Sequence, residues 1–444
     1  MKLSIIIKTK LLPLILSKTA RNTYFIFSGN SLAMVLAFFY TIILYRIVSI
    51  SDFGYYSALF SFLLLLTDIA DIGIGSSLSR FLPPLKKNPI KMFGFLKSAF
   101  LTQFTTVFLI FIIIVFAAPF ISQVLFHSKD LITFVRIVGL GIVGAAVGNF
   151  FLNTLYAKEK FVTASIFTII TALARLVFLL VLAGFAIVSL SNVIWALVGS
   201  FIFGSLIGMM LVNPVFLFHK STKSDIRILL GFSSFLGIAR TLTAVSSRLD
   251  VLMLMALTNS VETGIYSTAS RVASLYPVFT ASFISVVGPR VAVIKEVELK
   301  NYFTKIILAT IGLIVTILIF ILIAKPFMVI LFSEKSLPSV PVLRSLLISM
   351  MFFTGSIPGV ALSVYYLKKP FILTVNSILQ LITVIFGNLI FIPHFGRIGA
   401  AFSLIAAYGL SFLLTSFMSF YYLKKEGKVK TRVKFDTITP PETI

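Results

Sequence analysis

The sequence predicts an all-α polytopic membrane protein: about twelve transmembrane helices in two parallel-repeat six-helix lobes around a central cavity. Three observations predict it. Apolar runs of membrane-spanning length recur with short gaps between them. Basic residues collect at every second gap. The chain also matches itself at a shift of about 210 residues.

The runs come first. Of 444 residues, 59% are apolar and only 12% charged, with a mean hydropathy of +1.08. Soluble domains carry about 25% charged residues, so water is not the solvent for most of this surface. Spans are expected near residues 23–47, 53–79, 99–126, 131–156, 161–187, 192–218, 228–257, 263–288, 302–332, 340–367, 371–394 and 398–423. Residues 1–22 carry Lys8 and Lys10 inside their apolar run and show no small-residue cleavage site. They read as an amphipathic segment lying on the cytoplasmic surface. Residues 23–220 and 221–424 are then the two six-helix lobes, and 425–444 is a basic cytoplasmic tail.

The charges orient the spans. Five Lys or Arg precede the first span, and five lie in the second gap. The later even gaps hold two, three, four and two, and the tail holds six. The odd gaps and their flanks together hold only Arg46, Lys129, Arg136, Lys325, Lys335, Arg344 and Arg397. By the positive-inside rule both termini are cytoplasmic. This distribution also accounts for the formal charge of +24 without nucleic acid as a partner, because the bases never form one face. The basic side instead suits anionic membrane lipids.

The repeat supports an even span count. Asp52-Phe53-Gly54-Tyr55-Tyr56-Ser57 aligns with Glu262-Thr263-Gly264-Ile265-Tyr266-Ser267, and Arg80 with Arg290. Ala118-Pro119-Phe120 recurs as Lys325-Pro326-Phe327, and Tyr156-Ala157-Lys158-Glu159-Lys160-Phe161 as Tyr366-Leu367-Lys368-Lys369-Pro370-Phe371. Two repeats of six spans share one orientation in the membrane, a design of transporters with the substrate path between the lobes.

The residues that carry chemistry are the charges inside spans: Arg175, Arg240, Arg248 and Arg271, with Asp68, Asp71 and Asp250. A central arginine costs about 3 kcal/mol on the insertion scale, so these four must face water, a partner or an anionic ligand. Arginine matches phosphate oxygens bidentately, which makes the four candidates for holding a phosphate-bearing substrate. Taken as one continuous helix, span seven sets Arg240 and Arg248 about 12 Å apart along its axis, and Arg248 and Arg271 fall at matching depth on adjacent helices. The same residues also fit structural ion pairs with the aspartates. Asp68, Asp71 and Asp250 are candidates for ion coupling or for such pairing. Arg46 and Arg136 lie near span ends, where they can snorkel. No cysteine is present, and His127, His219 and His394 are far apart, so neither a metal site nor a cofactor is expected. No phosphate-binding loop of the GxxxxGK[ST] type occurs.

Asp52-Phe53-Gly54-Tyr55-Tyr56-Ser57, then Asp71-Ile72-Gly73-Ile74-Gly75 and Arg80, resemble the second span of the polysaccharide (Wzx-type) flippases. Those flippases are a branch of the multidrug/oligosaccharidyl-lipid/polysaccharide exporter superfamily. Gly264-Ile265-Tyr266-Ser267-Thr268-Ala269-Ser270-Arg271 with Pro289-Arg290 resembles the eighth span, and Phe395-Gly396-Arg397-Ile398-Gly399-Ala400-Ala401 the start of the last. The glycines themselves suit close helix packing rather than substrate contact. The resemblance implies a flippase that carries polyprenyl-linked oligosaccharide from the cytoplasmic to the outer leaflet of the cytoplasmic membrane. It also implies that spans one, two, seven and eight surround the cavity, with Arg240, Arg248, Arg271, Asp68 and Asp71 among them. Its partners would be the lipid-linked oligosaccharide, membrane lipids, and a glycan polymerase or glycosyltransferases. Two alternatives stand beside this reading. A multidrug exporter of the same superfamily would favour a carboxylate-lined cavity. A membrane glycosyltransferase or polymerase would need acidic residues near an outer surface and a long external loop.

Overall fold

The computed structural model describes residues 18–294, 296–369 and 371–436. Residues 1–17 of the expected amphipathic segment and 437–444 of the tail lie outside the described residues. Among the described residues no strand occurs, and nine helical stretches are long and apolar enough to cross a membrane. The chain divides into two compact units. One comprises the chain up to Arg248 together with Asn259–Gly264, and the other Leu249–Thr258 with everything from Ile265 onward.

In the first unit α1 spans Lys18–Ile47 and α2 Ile50–Asp71. Ser49 starts α2: its hydroxyl accepts the Asp52 amide at 3.0 Å and donates to the Asp52 carboxylate at 2.7 Å, a reciprocal cap that also sets an acid at the positive helix end. After Asp71 the chain turns through left-handed Ile72 and Gly73, with φ of 42° and 77°, and resumes as α3, Ile74–Phe81. α4 is Pro89–Phe126, α5 Ile132–Ala157, α6 Phe161–Gly184, α7 Leu190–Val212 and α8 Lys223–Ser246. α5 lies at the centre, packed by α2, α3, α4 and α7. Its Phe151 stacks on Phe100 of α4, while Phe150 and Phe216 meet that ring edge to face. The exposed side of α4 is apolar too, with Phe116 and Phe120 exposed, as lipid contact requires.

The second unit holds α9, Leu249–Leu257, most of α10, Ser260–Ala273, and α11, Leu275–Val293. There follow α12, Glu296–Phe332, α13, Ser339–Gly355, the single turn α14, Ile357–Val360, and a π-helical turn over Ala361–Tyr366. α15 runs over Phe371–Asp436 and is broken at Gly396, whose φ of 54° and ψ of −133° no helix contains. Gly399 seats the returning segment there: a Cβ on it would lie 2.1 Å from the Phe391 carbonyl oxygen.

The repeat appears as matched local chemistry in each unit. Pro119 inside α4 has no N–H for the Val115 carbonyl, and the Arg136 Nε–H of α5 donates to that oxygen at 3.4 Å. In the second unit the Arg344 Nε–H of α13 donates to the Ile321 carbonyl of α12, five residues before Pro326, at 3.3 Å. Left-handed residues also recur in register. His127 and Ser333 end the proline-bearing helices, and Glu159 and Lys368 stand at the later turns. Arg136, which the sequence assigns to snorkelling, thus closes a backbone vacancy.

Spans two, seven, eight and ten are interrupted rather than continuous. The breaks fall at Ile72–Gly73, Ser247–Arg248, Ser274 and Ser356. The nine apolar stretches among the described residues stand beside about twelve expected spans; none of the nine covers spans seven and eight, and spans eleven and twelve form one stretch through the Gly396 break. The expectation of one continuous helix carrying both Arg240 and Arg248 is corrected, because Arg248 sits in the break. Its amide reaches only three residues back, to the Val245 carbonyl at 3.1 Å.

Candidate functional site

Two of the predicted arginines, Arg175 and Arg248, share one feature in the first unit. Arg175 lies two-thirds of the way along α6. Its guanidinium stands 4.6 Å from the ring centroid of Phe201 on α7 and 5.3 Å from that of Phe60 on α2. The rings hold the cation by their negative faces and supply no hydrogen bond of the N–H···O kind. Its Nε is buried without a hydrogen-bond partner. Arg248, half-buried at the break between α8 and α9, has the same feature: a buried Nε with no acceptor. Neither forms an ion pair among the described residues. A buried N–H left unpaired costs about 1–3 kcal/mol, so both positions retain an unmet demand for an acceptor. An anionic oxygen would meet it.

The break in span two is built against α8. A Cβ on Gly73 would lie 2.7 Å from the Ser233 carbonyl oxygen, and one on Gly237 would lie 2.8 Å from the backbone of Ile72. The buried hydroxyls of Ser77 and Ser233 meet at 2.7 Å beside this contact. Asp71, the last residue of α2, accepts the Gly75 amide at 3.3 Å and so caps the segment beyond the break. Asp68, one turn earlier, is half-buried on the same helix. The side chain of Arg240 lies outside the described residues.

At the start of span eight the two repeat motifs touch. A Cβ on Gly54 would fall 1.8 Å from the Ser260 carbonyl oxygen, and one on Gly264 2.3 Å from that of Ile50. Ser51 and Ser260 share a hydrogen bond of 2.7 Å. Only glycine permits backbones this close.

In the second unit Asp250 is buried on α9. Its Oδ2 accepts the Tyr266 hydroxyl of α10 at 2.6 Å, and its Oδ1 the Val251 amide at 2.8 Å. The Tyr266 hydroxyl thus ties the Asp250 carboxylate to α10. Asn388 of α15 is fully buried and donates to the Met253 sulfur at 3.6 Å, leaving its Oδ1 without a donor. Arg271 is half-buried on α10 in this unit. Sequence reasoning passed over Phe60, Phe201, Tyr266 and Asn388. Tyr266 lay in the repeat motif, and Asn388 was a lone amide within an apolar span. Nothing in the sequence marked the two phenylalanines among 47. No group of three or more His, Cys, Asp or Glu able to hold a metal occurs among the described residues.

The sequence profile of a family described as polysaccharide biosynthesis protein matches residues 19–295. The chain belongs to that family. No curated protein sequence matches it. Solved structures give the fold. The lipid II flippase MurJ in an inward closed conformation is 16% identical, covering 94% of this chain and 93% of its own, with a TM-score of 0.70. An inward-facing multidrug resistance MATE family transporter of the MOP superfamily is 12% identical, covering 89% and 96%, with a TM-score of 0.71. A MOP superfamily transporter from Pyrococcus furiosus, reported with reversed polarity of its binding pocket, is 13% identical over 91% and 95%, with a TM-score of 0.63. This member of the polysaccharide biosynthesis family is thus a multi-pass membrane protein with the two-lobe MOP fold.

Proposed function

We propose that this protein is a flippase that moves polyprenyl-(pyro)phosphate-linked oligosaccharide across the cytoplasmic membrane by alternating access, with both termini cytoplasmic. The observation that carries the reading is a buried Nε without an acceptor at both Arg175 and Arg248, in a chain of the polysaccharide biosynthesis family. A phosphate supplies the oxygens both lack, and arginine's fork matches them. The lobes at 23–220 and 221–424 rock about the substrate, Arg240 and Arg271 add positive potential, and the prenyl tail stays in lipid. Interrupted helices are the form membrane-buried backbone takes where it lines a path, which suits spans two, seven and eight.

The coupling step, on this reading, uses a carboxylate inside the membrane. Asp250 is the strongest of the three aspartates because it is buried and hydrogen-bonded, whereas Asp71 serves as a cap. No catalytic residue is assigned, since the protein relocates its substrate without breaking a bond. Glycosyltransferases and a glycan polymerase are its functional neighbours.

The test is export of lipid-linked glycan in cells that depend on this protein. Arg248→Ala and Arg271→Ala should abolish surface glycan at unchanged protein level, and Arg175→Ala should reduce it. Lysine at each position should restore only part, because it lacks the planar fork. Normal glycan in all three alanine variants sinks the proposal. Organic-cation efflux by the wild type, without glycan export, would favour the multidrug reading that the MATE likeness keeps open.

A further inference from the structure

The second unit carries a groove of about 400 Å³ between α12, the interrupted span ten and α15. It continues into a smaller hollow of about 230 Å³ through the shared residues Ile314, Gly355 and Phe412. Phe303 and Leu423 mark one end, and Ile314 lies toward the other. Span ten makes the space. Its π-helical turn sends the Leu367 amide five residues back to the Leu362 carbonyl at 2.9 Å, which widens the helix locally. Gly359 lets α15 close on it, since a Cβ there would lie 2.9 Å from Thr415.

The lining is mostly apolar, with Thr310, Ser416 and Ser419 as its hydroxyls. Ser419 donates to the Gly359 carbonyl at 2.7 Å and lies 2.5 Å from the Ser363 hydroxyl, while Thr310 donates to Ile306. The flank on which the groove lies exposes Leu308, Ile311 and Phe420, so its neighbour is lipid. Charge gathers at one end only. Lys305 follows Phe303 by two residues, and Lys424 and Lys425 follow Leu423 directly; all three are exposed. Lys369 joins them from the end of span ten, its ammonium 4.3 Å from the ring centroid of Tyr422. Against these stands Glu426 in the sequence.

We propose that this groove binds one acyl chain of an anionic phospholipid, with the headgroup phosphate held by Lys305, Lys424 and Lys425. The volume suits a single acyl chain, and the groove runs along the helices from Phe303 to Ile314. The mostly apolar lining selects little by hydrogen bonding, so discrimination falls to the lysine rim, whose cations attract an anionic headgroup. A phospholipid is favoured over a transported lipid because all lining residues belong to one unit and its outer flank. A resident lipid reaches the groove there by lateral diffusion alone.

The experiment uses the full chain in nanodiscs doped with phosphatidylglycerol bearing a diazirine on its acyl chain, or with the phosphatidylcholine of identical chains. Labelled peptides are mapped by mass spectrometry. Phosphatidylglycerol should label residues 303–314 and 412–423 at least fivefold more than phosphatidylcholine does. Ser416→Phe, which fills the groove, should remove that labelling while label on α4 persists. The triple variant Lys305→Gln, Lys424→Gln, Lys425→Gln should bring the two lipids to parity, and its unchanged elution profile will show that it folds. Equal labelling by both lipids in the wild type overturns the proposal, as does label at 303–314 that survives Ser416→Phe. Displacement of the label by polyprenyl phosphate where excess phosphatidylglycerol fails also overturns it, by assigning the groove to the transported lipid instead.

Discussion

The Arg136–Val115 contact makes a prediction that isolates one cause. Pro119 leaves the Val115 carbonyl without its helical donor, and Arg136 supplies one at 3.4 Å. A hydrogen bond from a charged donor contributes about 1.5–3 kcal/mol, but this one is long and Arg136 is exposed, so its share should be about 1 kcal/mol. Arg136→Leu should therefore lower stability by about 1 kcal/mol. In a Pro119→Ala background the residue-119 amide can satisfy Val115, and the same Arg136→Leu change should cost almost nothing. The coupling in the double-mutant cycle should reach about 0.5–1 kcal/mol. It is measured by equilibrium unfolding in mixed detergent–SDS micelles, followed by far-ultraviolet circular dichroism. Additivity within about 0.3 kcal/mol would refute the assignment of Arg136 to the proline vacancy. The matching cycle of Arg344 with Pro326 should show weaker coupling, because Arg344 reaches Ile321 while Pro326 deprives Leu322.

Gly54→Leu should prevent accumulation of folded protein, since its side chain has no space against Ser260; monodispersity on size-exclusion chromatography reads the outcome, and a normal profile would discredit the close approach. Gly396→Ala should cost about 1–3 kcal/mol, because only glycine adopts that backbone conformation without strain; unchanged unfolding would contradict it. Lys158, at the turn after α5, has its pKa lowered by burial and then by Lys160. Its unfolded form therefore holds more proton between the depressed value and 10.5, so this group makes stability rise as pH climbs through that interval. Lys158→Met should flatten the rise, and a wild-type slope retained in the variant would count against the effect.

The mutual contact of the two glycine motifs has a consequence for evolution of the chain. Gly54 and Gly264 are counterparts in the internal repeat and also neighbours in space, and Ser51 and Ser260 are hydrogen-bonded beside them. A substitution at either glycine strikes the same backbone crossing. The effects of single changes there should therefore fail to add in the double change, unlike those at distant sites.

The span positions were legible from hydropathy because membrane insertion scores each segment almost independently, by length and apolar content. The repeat was legible because Pro119 and Pro326, and Gly54 and Gly264, answer to local backbone demands that recur in each half. The site was legible only as a set of expensive charges. That Asp71 caps a helix, that Asp250 binds Tyr266, and that Arg175 lies between Phe60 and Phe201 follow from which helix faces meet. The breaks in spans two, seven, eight and ten escaped hydropathy, which sums over a window and does not see a two-residue loss of helical bonding.

The amino-acid sequence alone determined that this protein lives in a bilayer, that it is built twice over, and that several cations are carried into the apolar phase. Those properties depend on composition and spacing along the chain. Tertiary structure alone decided which cations remain without an acceptor, because that depends on side chains tens to hundreds of residues apart arriving, or failing to arrive, at hydrogen-bond distance.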